Sequence, residues 1–289
     1  MTRPITVGVD GSPESTAAAA WAGREALRRG LPLRIVHGWQ WQSHGIGLAA
    51  DRETEAGWAR EAVDGARRTI TERHPQLAVT AEAVEGPPAE TVVAEAAGAE
   101  LLVLGSRGHG AVMGFLLGSL GRQVIAESVR PVVLVRSDDR AAAEAAGREI
   151  VVGQHGEPED GASALGFAFA TAAARGAALR VVRAWSLPPV FAYSPASLKM
   201  LDEAGGLEPY ERKALDEALR PWRERFPEVP VTEHVEMGSA GEVLLSAAGH
   251  AQLAVVGRHA SRPVGPRIGS VAHALLHHAP CPVAVVPPA

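Results

Sequence analysis

Cysteine is almost missing from the 289-residue chain. Cys281 stands alone, which excludes an intrachain disulfide framework and a thiolate-built zinc site. Lysine is almost missing too: Lys199 and Lys213 are the only two, so residues 1–198 hold neither a GxxxxGK[ST] phosphate loop nor a Schiff-base lysine. No run of 18 apolar residues occurs, so no membrane span is expected. The first ten residues read at once as a strand and lack the charged-then-apolar pattern of a secretion signal, which makes the cytoplasm the expected location. An excess of positive charge is also lacking. The net charge of −5 argues against sequence-independent nucleic-acid binding.

What is there is ordinary globular material, 46% hydrophobic and 21% charged, long enough for two cores. The chain repeats itself. Ile5-Thr6-Val7-Gly8-Val9-Asp10-Gly11 returns as Ile150-Val151-Val152-Gly153-Gln154-His155-Gly156, and Leu33–Trp39 as Leu179–Trp185. Leu101–Gly105 returns as Leu253–Gly257, and the run Pro131–Val135 as Pro282–Val286. A period this long means two tandem domains, not a solenoid. The expected division is 1–137, a linker over 138–148, and 149–289.

Each repeat alternates β-branched runs with Ala-rich stretches. The first predicts strands over 4–9, 32–37, 77–83, 100–104 and 131–135, with helices over 14–29, 53–73, 88–98 and 119–129. Four of these strands are continuous apolar runs, as in a parallel sheet covered on both faces. The pattern is α/β with right-handed crossovers. Ser12-Pro13 reads as an N-cap followed by proline, and Ser239-Ala240-Gly241-Glu242 has the capping-box spacing.

Ligands of open α/β sheets bind beyond the carboxyl ends of the strands. There the first repeat places Asp10-Gly11-Ser12, His37-Gly38-Trp39 and Gly105-Ser106-Arg107-Gly108-His109-Gly110, the last running on to Gly118-Ser119. Glycines 105, 108 and 110 let backbone amides approach an anion. Gly118-Ser119 opens a helix, whose free N–H groups and dipole favour phosphate. Arg107 and Arg122 add positive charge, and Asp10 offers a carboxylate to an adenine amine or a ribose hydroxyl. Tight turns around helix starts are the plainer explanation for any one of these glycines taken alone.

Gly105, Gly108 and Gly118-Ser119, spaced by two and then nine residues, match the G-x2-G-x9-G-[ST] pattern of the universal stress protein family, and Val7–Ser12 and Arg130–Val135 resemble it as well. Over the whole chain the sequence resembles the tandem, actinobacterial type. The resemblance implies two Rossmann-like domains related to the adenine nucleotide alpha hydrolases, each a five-stranded parallel sheet of order 3-2-1-4-5 with helices on both faces. It implies ATP as ligand: Asp10 on adenine or ribose, Gly38 on adenine through its backbone, and Gly105, Gly108, Gly118, Ser119 and the Leu120 amide on ribose and phosphates, with Mg held by phosphate oxygens. It also implies that Val132–Val135 pairs with Val283–Val286, and that the chain forms a homodimer.

The second repeat departs from the pattern. His155 replaces Asp10, Ala260 replaces Gly108, and eight residues instead of nine lead to Gly269-Ser270. Its site, around Gly257, Gly269 and Ser270, is expected to be weak, altered or empty. His273, His277 and His278 read as a solvent-facing helix end, Trp39 and Trp185 as packing at a domain edge, and Cys281 as a structural thiol. The segment 186–209, rich in proline, reads as a loop over the binding face. No catalytic set accompanies the glycine loop; His109 is the nearest candidate base. An ATP-binding regulatory or stress-response module acting on an unknown protein partner leads. The second reading is an enzyme, either a slow ATP hydrolase using His109 or a bound water, or a hydrolase that cleaves ATP between the α- and β-phosphates, against which the missing S-G-G-x-D-S loop counts; a nucleotide-free dimerisation scaffold is the third.

Overall fold

The computed structural model describes residues 2–41, 51–106, 118–137, 148–157, 159–187, 196, 199, 206–258 and 268–288. The chain packs as two compact units, Met1–Arg140 with Pro282–Pro287, and Ala141–Cys281 with Pro288–Ala289.

The first unit alternates β1 (Ile5–Gly8), α1 (Pro13–Arg29), β2 (Leu33–Trp39), α2 (Arg52–Arg73), β3 (Val79–Glu85), α3 (Pro88–Ala97), β4 (Leu101–Ser106), α4 (Ser119–Glu127) and β5 (Val132–Arg136). Its strands lie in the order β3-β2-β1-β4-β5, all parallel. In register, Ile5 faces Leu33 on one side and Leu101 on the other. Ile5, Val7, Ile35, Val103 and Val133 are fully buried, each contributing about 1.5–3 kcal/mol of transfer free energy. Helices start and stop on local chemistry. Ser12 holds extended backbone and its Oγ accepts the Ser15 N–H at 3.2 Å, while Pro13 sits where no N–H is needed. Gly30, at φ +62°, ends α1 in the left-handed region and returns its N–H to Ala26 and Leu27. Asp51 caps α2 by accepting the Thr54 N–H at 2.8 Å, a bond that holds its carboxyl below the usual carboxylate range.

The second unit contains β6 (Ile150–Gly153), α5 (Ala162–Arg175), β7 (Leu179–Trp185), α6 (Glu208–Arg225), β8 (Val231–Met237), α7 (Ala240–Ala247), β9 (Leu253–Gly257) and α8 (Ser270–His278). Its strands lie in the order β8-β7-β6-β9, again parallel. Phe169 of α5 stacks on Trp222 and Phe226. A Cβ on Gly166 would lie 2.5 Å from the Trp222 ring, so this helix pair requires glycine there. Two details differ from the sequence pattern. Ser239 stands at the N-cap of α7, yet its side chain makes no capping bond. And α5 begins at Ala162, well after Gly153, whereas α1 follows Gly8 closely.

The last strand, β10 (Val283–Val286), packs with the first unit. It runs antiparallel to β5, with Val283 opposite Leu134 and Val285 opposite Val132.

Candidate functional site

In the first unit the strand order reverses at β1, and a cleft of about 220 Å³ opens beyond the carboxyl ends of β1 and β4. Three helices begin around it. Their first turns supply Ser12, Glu14 and Ser15 from α1, Pro88 from α3, and Ser119, Leu120 and Gly121 from α4. The α4 ladder starts with the Arg122 N–H on the Gly118 carbonyl, at 3.1 Å. The amides of Ser119, Leu120 and Gly121 precede it and stand at the positive end of the helix.

The glycines around the cleft have different reasons to be glycine. A Cβ on Gly105 would stand 2.5 Å from the Glu14 carbonyl carbon and 2.8 Å from the Ser15 nitrogen. Close packing of α1 on β4 therefore demands it. A Cβ on Gly38 would stand 3.1 Å from the Pro88 backbone, and one on Gly8 2.6 Å from the Leu104 side chain. Gly118 is unlike these. Its φ is −57°, open to any residue, and an added Cβ meets no described atom within 4 Å. Among the described residues neither backbone strain nor packing calls for glycine there.

Asp10 lines the cleft from the turn after β1, with Gly11 at φ +78° beside it. Its Oδ1 accepts the Ser12 amide at 3.0 Å and the Ser12 hydroxyl as well, so the carboxylate also shapes the turn. The sequence did not single out Glu14 or His37 as site residues, and both line the cleft. The His37 Nδ1 donates to the carbonyl of Val9, which fixes that ring nitrogen as the protonated one in the neutral tautomer. The position of Glu14, one residue after the N1 proline, was the available signal. Glu14 lines the cleft beside Asp10, its backbone carbonyl packed against Gly105.

The structure thus brings together Asp10, Gly38, Gly105, Gly118, Ser119 and Leu120. Arg107, Gly108 and His109 lie outside the described residues, as do Ala260, nearly all of the 138–148 linker and most of 186–209. In the second unit Gly257 ends β9, Gly269 is the N-cap of α8 at φ −65°, and Ser270 is its first residue. His273 and His277 stack at 4.2 Å between ring centres, and Cys281 is buried. Among the described residues no three His, Cys, Asp or Glu side chains form a metal-sized group, and no helix is long and apolar enough to cross a membrane.

The sequence model of the universal stress protein family matches residues 1–136 and again 147–287. A universal stress protein of Mycobacterium tuberculosis is 33% identical over 301 residues, covering 97% of this chain and 96% of its own length. One from Mycolicibacterium smegmatis is 33% identical over 298 residues, covering 98% and 97%. A crystal structure of a universal stress protein from Archaeoglobus fulgidus superposes with a TM-score of 0.67 at 16% identity, over 99% of this chain and 98% of that one. Two copies of one α/β unit, each matched by the family model, show that the chain belongs to the universal stress protein family.

Proposed function

We propose that the first unit binds ATP with Mg2+, and that the chain is a nucleotide-dependent regulatory module of the stress response. It works as a cytoplasmic homodimer whose protein partner responds to occupancy of the cleft. Gly118 carries the proposal. Among the described residues neither its φ nor its packing asks for glycine, and it stands at the N-terminus of α4, beside the free amides of that helix. A backbone left bare without a structural reason suits close approach of a phosphate. The amides of Ser119 and Leu120 and the α4 dipole hold the phosphates, with Gly105, Arg107 and Gly108 completing the loop. Asp10 and Gly38 take the adenosine end. The carboxylate of Asp10 repels a bare polyanion, so the Mg2+ chelate is the form taken, its metal held by phosphate oxygens.

The test is calorimetric titration of nucleotide-stripped protein with Mg-ATP. Wild type binds, and Gly118→Val, which places a branched side chain between amides and phosphate, loses at least about tenfold in affinity, the effect of one lost hydrogen bond to a charged group. Equal dissociation constants overturn the proposal.

A further inference from the structure

Arg183 holds the place in β7 that His37 holds in β2, since Leu179–Trp185 repeats Leu33–Trp39. His37 stops at the Val9 carbonyl. Arg183 is 8% exposed and reaches further. Its Nη1 donates to Gln154 Oε1 and, at 2.9 Å, to the Gly156 carbonyl, and its Nε donates to Glu211 Oε2 at 2.6 Å. Gln154 and Gly156 repeat Val9 and Gly11, in the turn that borders the cleft of the first unit. Glu211 belongs to the first turn of α6, so the guanidinium ties that helix to the strand end.

The turn is filled from a second side. Asp160 Oδ2 accepts the Glu157 amide at 3.0 Å, and a Cβ on Gly156 would lie 2.3 Å from that oxygen. Glu157 repeats Ser12, and Asp160 accepts its amide as Asp10 accepts that of Ser12 in the first unit. The late start of α5 supplies the extra residues that carry Asp160.

We infer that Arg183 is the internal ligand of the second unit. Its guanidinium, bound by Gln154, Gly156 and Glu211, takes the strand-end space that the first unit leaves to a nucleotide, so the chain carries one nucleotide and not two. The count of one rests on ATP occupying the first cleft; the exclusion from the second unit does not. An incoming nucleotide would have to displace the largely buried Arg183 guanidinium from three acceptors, Gln154, Gly156 and Glu211.

The full-length chain, stripped of nucleotide, is dialysed against labelled Mg-ATP as wild type, Gly118→Val and Arg183→Ala. Thermal midpoints are read with and without millimolar ethylguanidinium. Wild type takes one ATP, and Gly118→Val takes it at least about tenfold more weakly. Arg183→Ala melts roughly 10 °C lower, as expected when a largely buried guanidinium leaves three acceptors without a donor, and ethylguanidinium restores it while leaving wild type unchanged. Two ATP per wild-type chain overturns the inference and leaves the ATP proposal standing, whereas undiminished affinity of Gly118→Val counts against the ATP proposal instead. No ATP on wild type removes the ATP proposal; ethylguanidinium rescue then decides the inference alone, its presence supporting and its absence overturning it. If Arg183→Ala does not fold, the Nε–H resonance of wild-type Arg183 replaces it. Slow solvent exchange, unchanged by saturating ATP, supports the inference, and fast exchange or a shift on adding ATP overturns it.

Discussion

Replacing Gly105 and Gly118 by alanine separates a glycine kept for packing from one kept for a ligand. At Gly105 the new Cβ would sit 2.5 Å from the Glu14 carbonyl carbon and 2.7 Å from its oxygen. Those are backbone atoms at the start of α1, whose buried face includes Ala18, Trp21 and Ala22. An ordinary contact requires the helix start to retreat by roughly 1 Å, and overpacking of this kind costs about 1–3 kcal/mol. Loss of unfolded-chain freedom returns about 0.4–1 kcal/mol. The net is a destabilisation of about 1–2 kcal/mol, or a midpoint lower by roughly 3–8 °C. At Gly118 the Cβ enters open space at φ −57°. Alanine is a poorer N-cap than glycine by about 0.5–1 kcal/mol, and the same entropy gain offsets it. Stability stays within about 0.5 kcal/mol of wild type, but the methyl group stands between the amides and a phosphate. Losing one hydrogen bond to a charged group costs about 1.5–3 kcal/mol, roughly 10–150-fold in the Mg-ATP dissociation constant. Urea denaturation and Mg-ATP titration of both variants give the four numbers. The reasoning fails if Gly118→Ala unfolds as early as Gly105→Ala, or if Gly105→Ala is as stable as wild type.

Ser12→Ala removes the cap on α1 and lowers stability by about 1 kcal/mol in chemical denaturation. Arg34 donates to Glu95 at 2.7 and 3.0 Å and to Glu82 at 2.8 Å, bonds that raise its already high pKa, chiefly through Glu95. Arg34→Met costs about 1–3 kcal/mol, and a double-mutant cycle with Glu95→Gln recovers most of it; simple additivity would count against the pair. The Asp51 carboxyl is depressed by its bond from the Thr54 amide, so its contribution is present above the unfolded value and is lost as pH falls through the folded one. The protection factor of the Thr54 amide, its exchange rate corrected for the intrinsic pH dependence, should therefore fall in acid in wild type and show no such step in Asp51→Ala. Truncation after Pro280 removes β10, exposes the edge of β5 and should give soluble aggregates by light scattering; a monodisperse truncated chain would contradict the pairing.

The elements of the first unit were legible because each boundary has its own chemistry. Ser12-Pro13 starts α1, Gly30 ends it, and the runs around Val7, Ile35, Val103 and Val133 can only be buried strands. The glycine spacing likewise led to the right end of the sheet. It did not distinguish Gly105 from Gly118, because that difference is a distance to Glu14, which lies 91 positions away in the sequence. It read Asp10 as a ligand group without showing that its carboxylate also closes a turn on Ser12. Ser239 had the right spacing for a capping box, and its side chain makes no such bond. The second repeat showed only substitutions. That Arg183 joins Gln154, Gly156 and Glu211 depends on three elements meeting at one strand end, which no local pattern encodes.

The antiparallel seat of β10 beside β5 sets a timetable for synthesis. When the first unit has left the ribosome, β5 still lacks the neighbour that comes last in the chain. Some 150 residues must follow, and at about 5–20 residues per second the wait is roughly 10–30 s, long against the folding of a domain this size. For that interval an apolar strand edge faces other nascent chains, including copies from the same message. The gene therefore gains from having the second repeat follow at once in the same reading frame, where the missing strand arrives tethered and at high local concentration.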